Sequence, residues 1–179
     1  MSESIVVTSA RTEDLSPAIR ASIIDVCVAA HQEDSFRRLF SYIPAGGRHF
    51  LAYRDRELVS HAVVTTRWLK ADGQPDLKTV YVDAVATLPV YQGRGIGSAL
   101  MRHLASALSD YAIACLETER VSFYAQLGWE EWRGLLAGKK GAEIIPTPDQ
   151  KGIMILRLPQ TPAIDLDSSL TIEYDGRFW

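Results

Sequence analysis

The chain is poor in cysteine and carries little excess charge. Its two cysteines, Cys27 and Cys115, lie far apart and lack metal-ligand spacing. Cys27 falls in a helical apolar pattern with Ile23, Ile24 and Val28, and Cys115 follows Ala112-Ile113-Ala114. Both are expected as buried free thiols, and nothing suggests a secreted disulfide framework. The histidines His31, His49, His61 and His103 show no clustered spacing, so surface or satisfied core positions are expected and no metal is assigned. A net charge of −3 excludes a general attraction to nucleic acid or anionic membrane. No run approaches membrane-spanning length. The start, Met1-Ser2-Glu3-Ser4-Ile5-Val6-Val7, has no apolar stretch long enough for a signal peptide, which points to a cytoplasmic protein.

What is present is an ordinary globular composition, 47% hydrophobic and 23% charged over 179 residues. That length suits one domain over residues 1–179, and no repeat or linker divides it. Residues 5–7 read as a short strand. Ser16-Pro17 opens a helix with apolar positions Ile19, Ile23, Val26 and Ala30. A polar segment, Gln32-Glu33-Asp34-Ser35, precedes a short helix through Phe36 and Phe40, and Pro44-Ala45-Gly46-Gly47 breaks the chain. Strands at 50–53 and 58–69 flank a hairpin turn at 54–57, and Asp72-Gly73 marks a second turn. The next strand, 79–87, sets Val80, Val82, Ala84 and Ala86 on one face and Tyr81, Asp83 and Val85 on the other. Residues 96–108 form a helix, with Ile96, Leu100, Leu104 and Leu108 every four residues. A strand at 112–116, a short helix at 119–127 stopped by Gly128, and a late strand at 153–156 follow. Lys139-Lys140-Gly141 and Pro146-Thr147-Pro148 read as loops.

Between strand 79–87 and helix 96–108 stands Gln92-Gly93-Arg94-Gly95-Ile96-Gly97. Glycines allow close approach of a ligand to the backbone, and the first helical turn offers unpaired N–H groups with partial positive charge. Arg94 adds a formal charge. The combination suits a pyrophosphate; the bland reading is a glycine-rich turn that only reverses the chain. No Gly-Lys-Ser/Thr follows, which excludes the Walker pattern, and Leu100 stands where a dinucleotide fingerprint needs a small residue. Gln-x-x-Gly-x-Gly fits, as Gln92, Gly95 and Gly97.

The stretch from Tyr81 to Leu100 resembles the cofactor motif of the GCN5-related N-acetyltransferases (GNAT). The resemblance implies an α/β fold with a mixed, mostly antiparallel sheet and helices on both faces. It implies acetyl-CoA as donor, bound by residues Gln92, Gly93, Arg94, Gly95, Ile96 and Gly97. Val85 and Ala86 would pair their backbone with the pantetheine arm and polarise the thioester carbonyl. Phe123-Tyr124-Ala125-Gln126-Leu127-Gly128-Trp129 resembles the family's later aromatic pair and glycine, which implies that Tyr124 protonates the leaving thiolate. A phenol can serve as that acid; a packing role beside Phe123 and Trp129 is the alternative. Asp83 is the leading base for the amine, directly or through water, and could equally be a carboxylate satisfied by a neighbour. Glu117 is second.

A closer resemblance, to the aminoglycoside 2′-N-acetyltransferases, rests on Tyr81-Val82-Asp83-Ala84-Val85-Ala86, on Thr147-Pro148-Asp149 with Gly152, and on the tail ending at Trp179. It implies acceptor-side roles for Asp34, Asp83, Glu117, Arg177 and Trp179, the last through its α-carboxylate; simple docking of Trp179 against the fold is the alternative. The expected acceptor is therefore the 2′-amine of an aminoglycoside or related amino-sugar antibiotic, with antibiotic resistance as the setting. Leu39, Gln150 and Arg177 stand where acids are expected, and Arg177 would repel a protonated amine. That leaves room for a kasugamycin-like amino sugar with an acidic group for Arg177 or Arg37. Two other readings stay open: an acetyltransferase for another small amine or a peptide N-terminus, and a non-catalytic acyl-CoA-binding sensor. Family members are often homodimers. No nucleic-acid or membrane partner is expected.

Overall fold

A computed structural model describes residues 4–179. Met1, Ser2 and Glu3, part of the stretch read as lacking a signal peptide, lie outside the described residues. The chain folds as two compact units, one of residues up to Thr65 with Val82–Ser106, the other of Thr66–Tyr81 with Ala107–Trp179. No helix among the described residues is long and apolar enough to cross a membrane.

The first unit begins with strand β1 (Val6–Arg11) and helix α1 (Pro17–His31). Ser16 caps α1, its Oγ accepting the Ile19 N–H at 3.2 Å, with Pro17 at the first position as expected. A 3-10 turn over Asp34–Arg38 leads into the short α2 (Leu39–Tyr42). Strand β2 (Arg48–Arg54) and the start of β3 (Glu57–Ala71) form the expected hairpin. Its two central residues, Asp55 and Arg56, have φ of 49° and 69°, as a twist-matched two-residue turn requires. Neighbouring residues of β2 face opposite ways. Leu51 shares a core with Ile23, Val26 and Cys27 of α1, while Phe50 meets His103 of α3 (Ile96–Ser106) edge-on at 6.2 Å. Helices therefore cover both faces of this hairpin.

Strand β4 spans Leu77–Thr87, and its last six residues belong to this unit. The expected alternation does not hold through its end. Ala84 has φ of 49°, a left-handed conformation unusual for a residue with a Cβ. The pleat breaks there, so residues 84 to 86 cannot be assigned to faces by parity.

In the second unit the strand order is β6-β9-β5-β4-β3-β10-β7-β8. Here β5 is Ile113–Glu117, β6 Glu130–Glu131, β7 Leu136–Lys140, β8 Glu143–Pro146, β9 Ile153–Arg157 and β10 Leu170–Glu173. Among the described pairs, β4 with β5 and β7 with β10 run parallel and the others antiparallel. Helix α4 (Val121–Ala125) is followed by Gly128, at φ of 88°. The core gathers Tyr81, Ile113, Ile153, Ile155, Trp132 and Trp179. The fold is thus the mixed, mostly antiparallel α/β sheet with helices that the motif implied.

One expectation fails in this unit. Lys139-Lys140-Gly141 is not a loop: the lysines end β7, and Gly141, at φ of 58°, turns the chain into β8. Two adjacent lysines hid the strand because one is held by charge: Lys139 lies opposite Glu173 of β10 and its Nζ sits 2.9 Å from Oε2. Strand β10, which no local signal announced, buries Leu170 and Ile172 in alternation.

Candidate functional site

The loop at residues 92–97 grows from the end of β4. Pro89–Tyr91 makes one 3-10 turn, and Gln92 returns its side chain to the strand, Nε2 donating to the Thr87 carbonyl at 2.9 Å. Gly93 and Gly95 have φ of 72° and 78°. A Cβ at either would meet nothing within 4 Å, so dihedral angle and not crowding demands glycine, and the space over the loop is open to a ligand. The Gly95 carbonyl accepts the Ala99 N–H at 2.9 Å and starts α3. The amides of Ile96, Gly97 and Ser98 then have no partner within the helix, which is the condition for an anion site. Arg94 and Arg54 flank the Tyr91 ring, at 5.8 and 5.1 Å from its centroid, and line a cavity of about 240 Å³ with Ile5 and Ile96. Open glycines, a helix start and two cations fit a coenzyme A pyrophosphate.

The strand before the loop is held in an unexpected way. Three consecutive carbonyls beside the Ala84 bulge each accept a side-chain hydrogen bond. His61 Nδ1 donates to Ala84 O at 2.9 Å, His31 Nε2 to Val85 O at 3.0 Å, and Ser60 Oγ to Ala86 O at 2.7 Å. The left-handed Ala84 interrupts the regular strand geometry, and these side chains supply partners for the carbonyls around it. Val85 and Ala86, expected to meet the thioester, lie within this clamped segment. Asp83 precedes it, partly buried. His49 and His61 are fully buried and adjacent in space, which their sequence spacing concealed. Both are satisfied core positions. Among the described residues no three His, Cys, Asp or Glu gather as a metal site, and both cysteines are buried free thiols.

Other expected residues of this unit read differently from the sequence. Leu39 is completely buried with Ile23 and Leu51, so its missing charge says nothing about an acceptor. Asp34 is exposed and paired with Arg37, whose Nε donates to Oδ1 at 2.8 Å. Arg37 therefore already has a counterion.

The second unit carries the remaining expected residues. Tyr124 of α4 is 7% exposed, packed edge-on against Phe123 and Trp129. Burial pushes its phenol up to about 12, with Arg120 acting weakly the other way. It is a neutral donor at any physiological pH. Glu117, at the end of β5, holds both departures noted in the sequence. Gln150 Nε2 donates to Oε1 at 2.8 Å, and Arg177 Nη2 donates to Oε2. Arg177 is therefore not an isolated repelling cation; it neutralises the acid nearest to it. Trp179 is 4% exposed, its indole N–H donating to Thr147 Oγ1 at 3.1 Å. The indole docks in the core. Arg67 fixes this tail: it is buried, stacks on Tyr81 and Tyr174 at 3.7 and 4.1 Å, and donates through Nη1 to the Phe178 carbonyl at 2.8 Å.

Comparison with known proteins agrees with the cradle. Residues 9–132 match the acetyltransferase (GNAT) domain. An aminoglycoside 2′-N-acetyltransferase from Mycolicibacterium fortuitum is 29% identical over 137 residues, 74% of this chain and 69% of that protein. The GNAT family N-acetyltransferase YhbS of Escherichia coli, solved in complex with CoA, superposes over 97% of this chain and 91% of its own (TM-score 0.66, 14% identity). Eis1 from Mycobacterium abscessus superposes over 74% of this chain (TM-score 0.59, 21% identity), which spans 32% of the length of Eis1. The chain belongs to the GNAT acetyltransferase family and carries a domain of acetyl-CoA-dependent acyltransferases.

Proposed function

We propose that this member of the family acts as one N-acetyltransferase domain over residues 1–179. Its acceptor is an amino group of an aminoglycoside-related amino sugar, of lower positive charge than the deoxystreptamine drugs. The likeness to an aminoglycoside 2′-N-acetyltransferase supports the amino-sugar class. The observation that carries the finer reading is Glu117, which shares its two oxygens between Gln150 and Arg177. A carboxylate already paired with a guanidinium offers little net attraction to a polycation. Arg177 is largely exposed and keeps further N–H groups for an acidic substituent, as on a kasugamycin-like sugar.

Acetyl transfer then proceeds directly from acetyl-CoA to amine. The amides at the start of α3 and Arg94 bind the pyrophosphate, and the backbone at Val85 and Ala86 receives the thioester. Asp83 takes the amine proton, directly or through water. The amine nitrogen forms its bond to the acetyl carbon, the carbon–sulfur bond breaks, and Tyr124 protonates the thiolate. Asp34 and the Trp179 α-carboxylate contribute to the acceptor side.

The test is thiol release from acetyl-CoA over a panel: deoxystreptamine aminoglycosides, amino sugars with and without a carboxyl group, polyamines and peptides. We expect the highest kcat/KM for a carboxyl-bearing amino sugar, and an Arg177→Ala variant to lose that preference. A preference of the native protein for the polycationic drugs would overturn the acceptor assignment.

A further inference from the structure

The clamp on β4 is fed by a buried relay whose proton positions follow from its partners. A carbonyl only accepts, so the bond to Ala84 O requires a proton on His61 Nδ1. The other nitrogen of a neutral His61, Nε2, must then accept, and it lies 2.8 Å from His49 Nδ1, which therefore carries a proton. His49 Nε2 must accept in turn, and Thr12 Oγ1 lies 2.9 Å away. The same hydroxyl also lies 3.1 Å from the Gly47 carbonyl, which receives the Thr12 backbone N–H at 2.9 Å; with only one proton to give, the hydroxyl must direct it to His49 Nε2, which has none of its own in the neutral relay. Every proton in Thr12–His49–His61–Ala84 then has an acceptor with no charge in the chain, and the Ala84 carbonyl takes a second, longer bond from Cys27 Sγ at 3.9 Å.

The surroundings keep it that way. His49 and His61 are both fully buried. Burial, reinforced by Arg20, lowers His49 to about 4. Burial and the neighbouring His49 lower His61 to about 3, against a smaller opposing effect of the Ala84 bond. Cys27 lies 3.6 Å from His61 Nδ1, and burial pushes its thiol up to about 12, so it brings no negative charge to the pair. The relay ends at a carbonyl and cannot pass a proton onward; its effect is on position.

We propose that His61 is a positioning residue for acetyl transfer: the Thr12–His49–His61 relay locks its Nδ1–H tautomer, which holds the Ala84 carbonyl and so sets the backbone at Val85 and Ala86 against the thioester. This rests on the acetyltransferase reading above. Ala84 pays for a left-handed conformation that a residue with a Cβ rarely adopts, and the bond from His61 is what stabilises it there. The relay therefore acts on the geometry of the reacting carbonyl and not on cofactor affinity, which comes from the loop.

Two measurements test it. Long-range proton–nitrogen correlation spectra of the native protein at neutral pH should show both imidazoles neutral with the proton on Nδ1, the less common tautomer in water. An Nε2–H or doubly protonated His61 would overturn the relay. In kinetics, His61→Leu should lower kcat by roughly tenfold or more while KM for acetyl-CoA changes little, since a small misplacement at a reacting centre costs rate. His61→Asn, which keeps a donor near the δ position, should recover much of the loss. Thr12→Val reaches the relay from its far, partly exposed end and serves if the leucine variant fails to fold; it should lower kcat and yield mixed tautomers. A native enzyme that turns over and whose folded variants keep full kcat would overturn the positioning role alone. A native protein that releases no thiol with any amine would overturn the acetyltransferase reading instead.

Discussion

Gly138→Ala is the substitution whose cost can be worked most directly. A Cβ built at this position of β7 lies 2.1 Å from two ring carbons of Phe178 and 2.3 Å from a third. Ordinary contact begins more than 1 Å further out, so the ring must move. It cannot move alone, because the Phe178 carbonyl accepts from Arg67 at 2.8 Å and the next residue, Trp179, is buried. Overpacking of this kind costs about 1–3 kcal/mol. Losing a hydrogen bond to a charged group adds about 1.5–3 kcal/mol if the tail shifts as a whole. Against this, alanine restricts the unfolded chain and returns about 0.4–1 kcal/mol, since Gly138 has no positive φ to protect. The net expectation is a loss of about 1.5–5.5 kcal/mol, and at roughly 2–4 °C per kcal/mol for a chain of this size the melting temperature should fall by roughly 3–20 °C. Urea unfolding of Gly138→Ala, Phe178→Ala and the double variant closes the cycle. The double variant should be more stable than the two single losses added together, because removing the ring vacates the space that the new methyl needs. The amine KM should rise in Gly138→Ala with the KM for acetyl-CoA unchanged, if the Trp179 α-carboxylate serves the acceptor as proposed. An unchanged or raised melting temperature, or strict additivity in the cycle, would refute the reasoning.

Tyr124→Phe should lower kcat by roughly two orders of magnitude at neutral pH if the phenol is the thiolate's acid. The same variant should remove a loss of stability between pH 10 and 12: there the unfolded tyrosine has released its proton and the folded one, held up to about 12, has not, so ΔG of unfolding falls by about 2–3 kcal/mol across that window. For the His49–His61 pair the sign is opposite in pH. Both folded values lie well below that of the unfolded chain, so the unfolded state binds more protons below about pH 6.5 and stability should drop as pH falls from there towards 4, by at most about 1.4 kcal/mol per pH unit for each histidine. Urea midpoints from pH 7 to 4 check it, and a native protein no more acid-sensitive than a His49→Gln/His61→Leu double variant would contradict it.

Elements governed by local chemistry were legible in the sequence. The Ser16 cap, the Asp55-Arg56 turn, the four-residue rhythm of α3 and the glycines at 93 and 95 each depend on a few adjacent residues, and each was read correctly in kind. The elements that escaped depend on partners far along the chain. Lys139 and Lys140 look like a loop until Glu173, 34 residues away, lies alongside. The alternation of β4 looks regular until Ala84 leaves the pleat, and no residue type at 84 announces that; the donors that stabilise it stand at 31, 60 and 61.

The histidine pair escaped for a related reason. The turn at Asp55-Arg56 pairs Arg54 with Glu57 and Tyr53 with Leu58, and that register continued would place His49 and His61 on opposite faces; a shift of one residue between Ala52 and Tyr53 instead sets Leu51 opposite His61 and Val63 opposite His49. His49 and His61 are then diagonal neighbours on one face, the face that carries Leu51 towards α1. Two histidines on a buried face must hydrogen-bond, and each can satisfy the other only if both are neutral and the chain of donors runs one way. The acceptor side hid its pairing as well. Gln150 and Arg177 read from sequence as two missing acids, yet both converge on Glu117, from 33 and 60 residues away. Taken singly, each substitution argued for a weaker cation site. Taken together around one carboxylate they describe a different surface: one whose negative charge is already answered and whose exposed guanidinium can still bind an anion. Charge counted along a sequence gives the sum of such a site but not its pairing, and the pairing is what an acceptor meets.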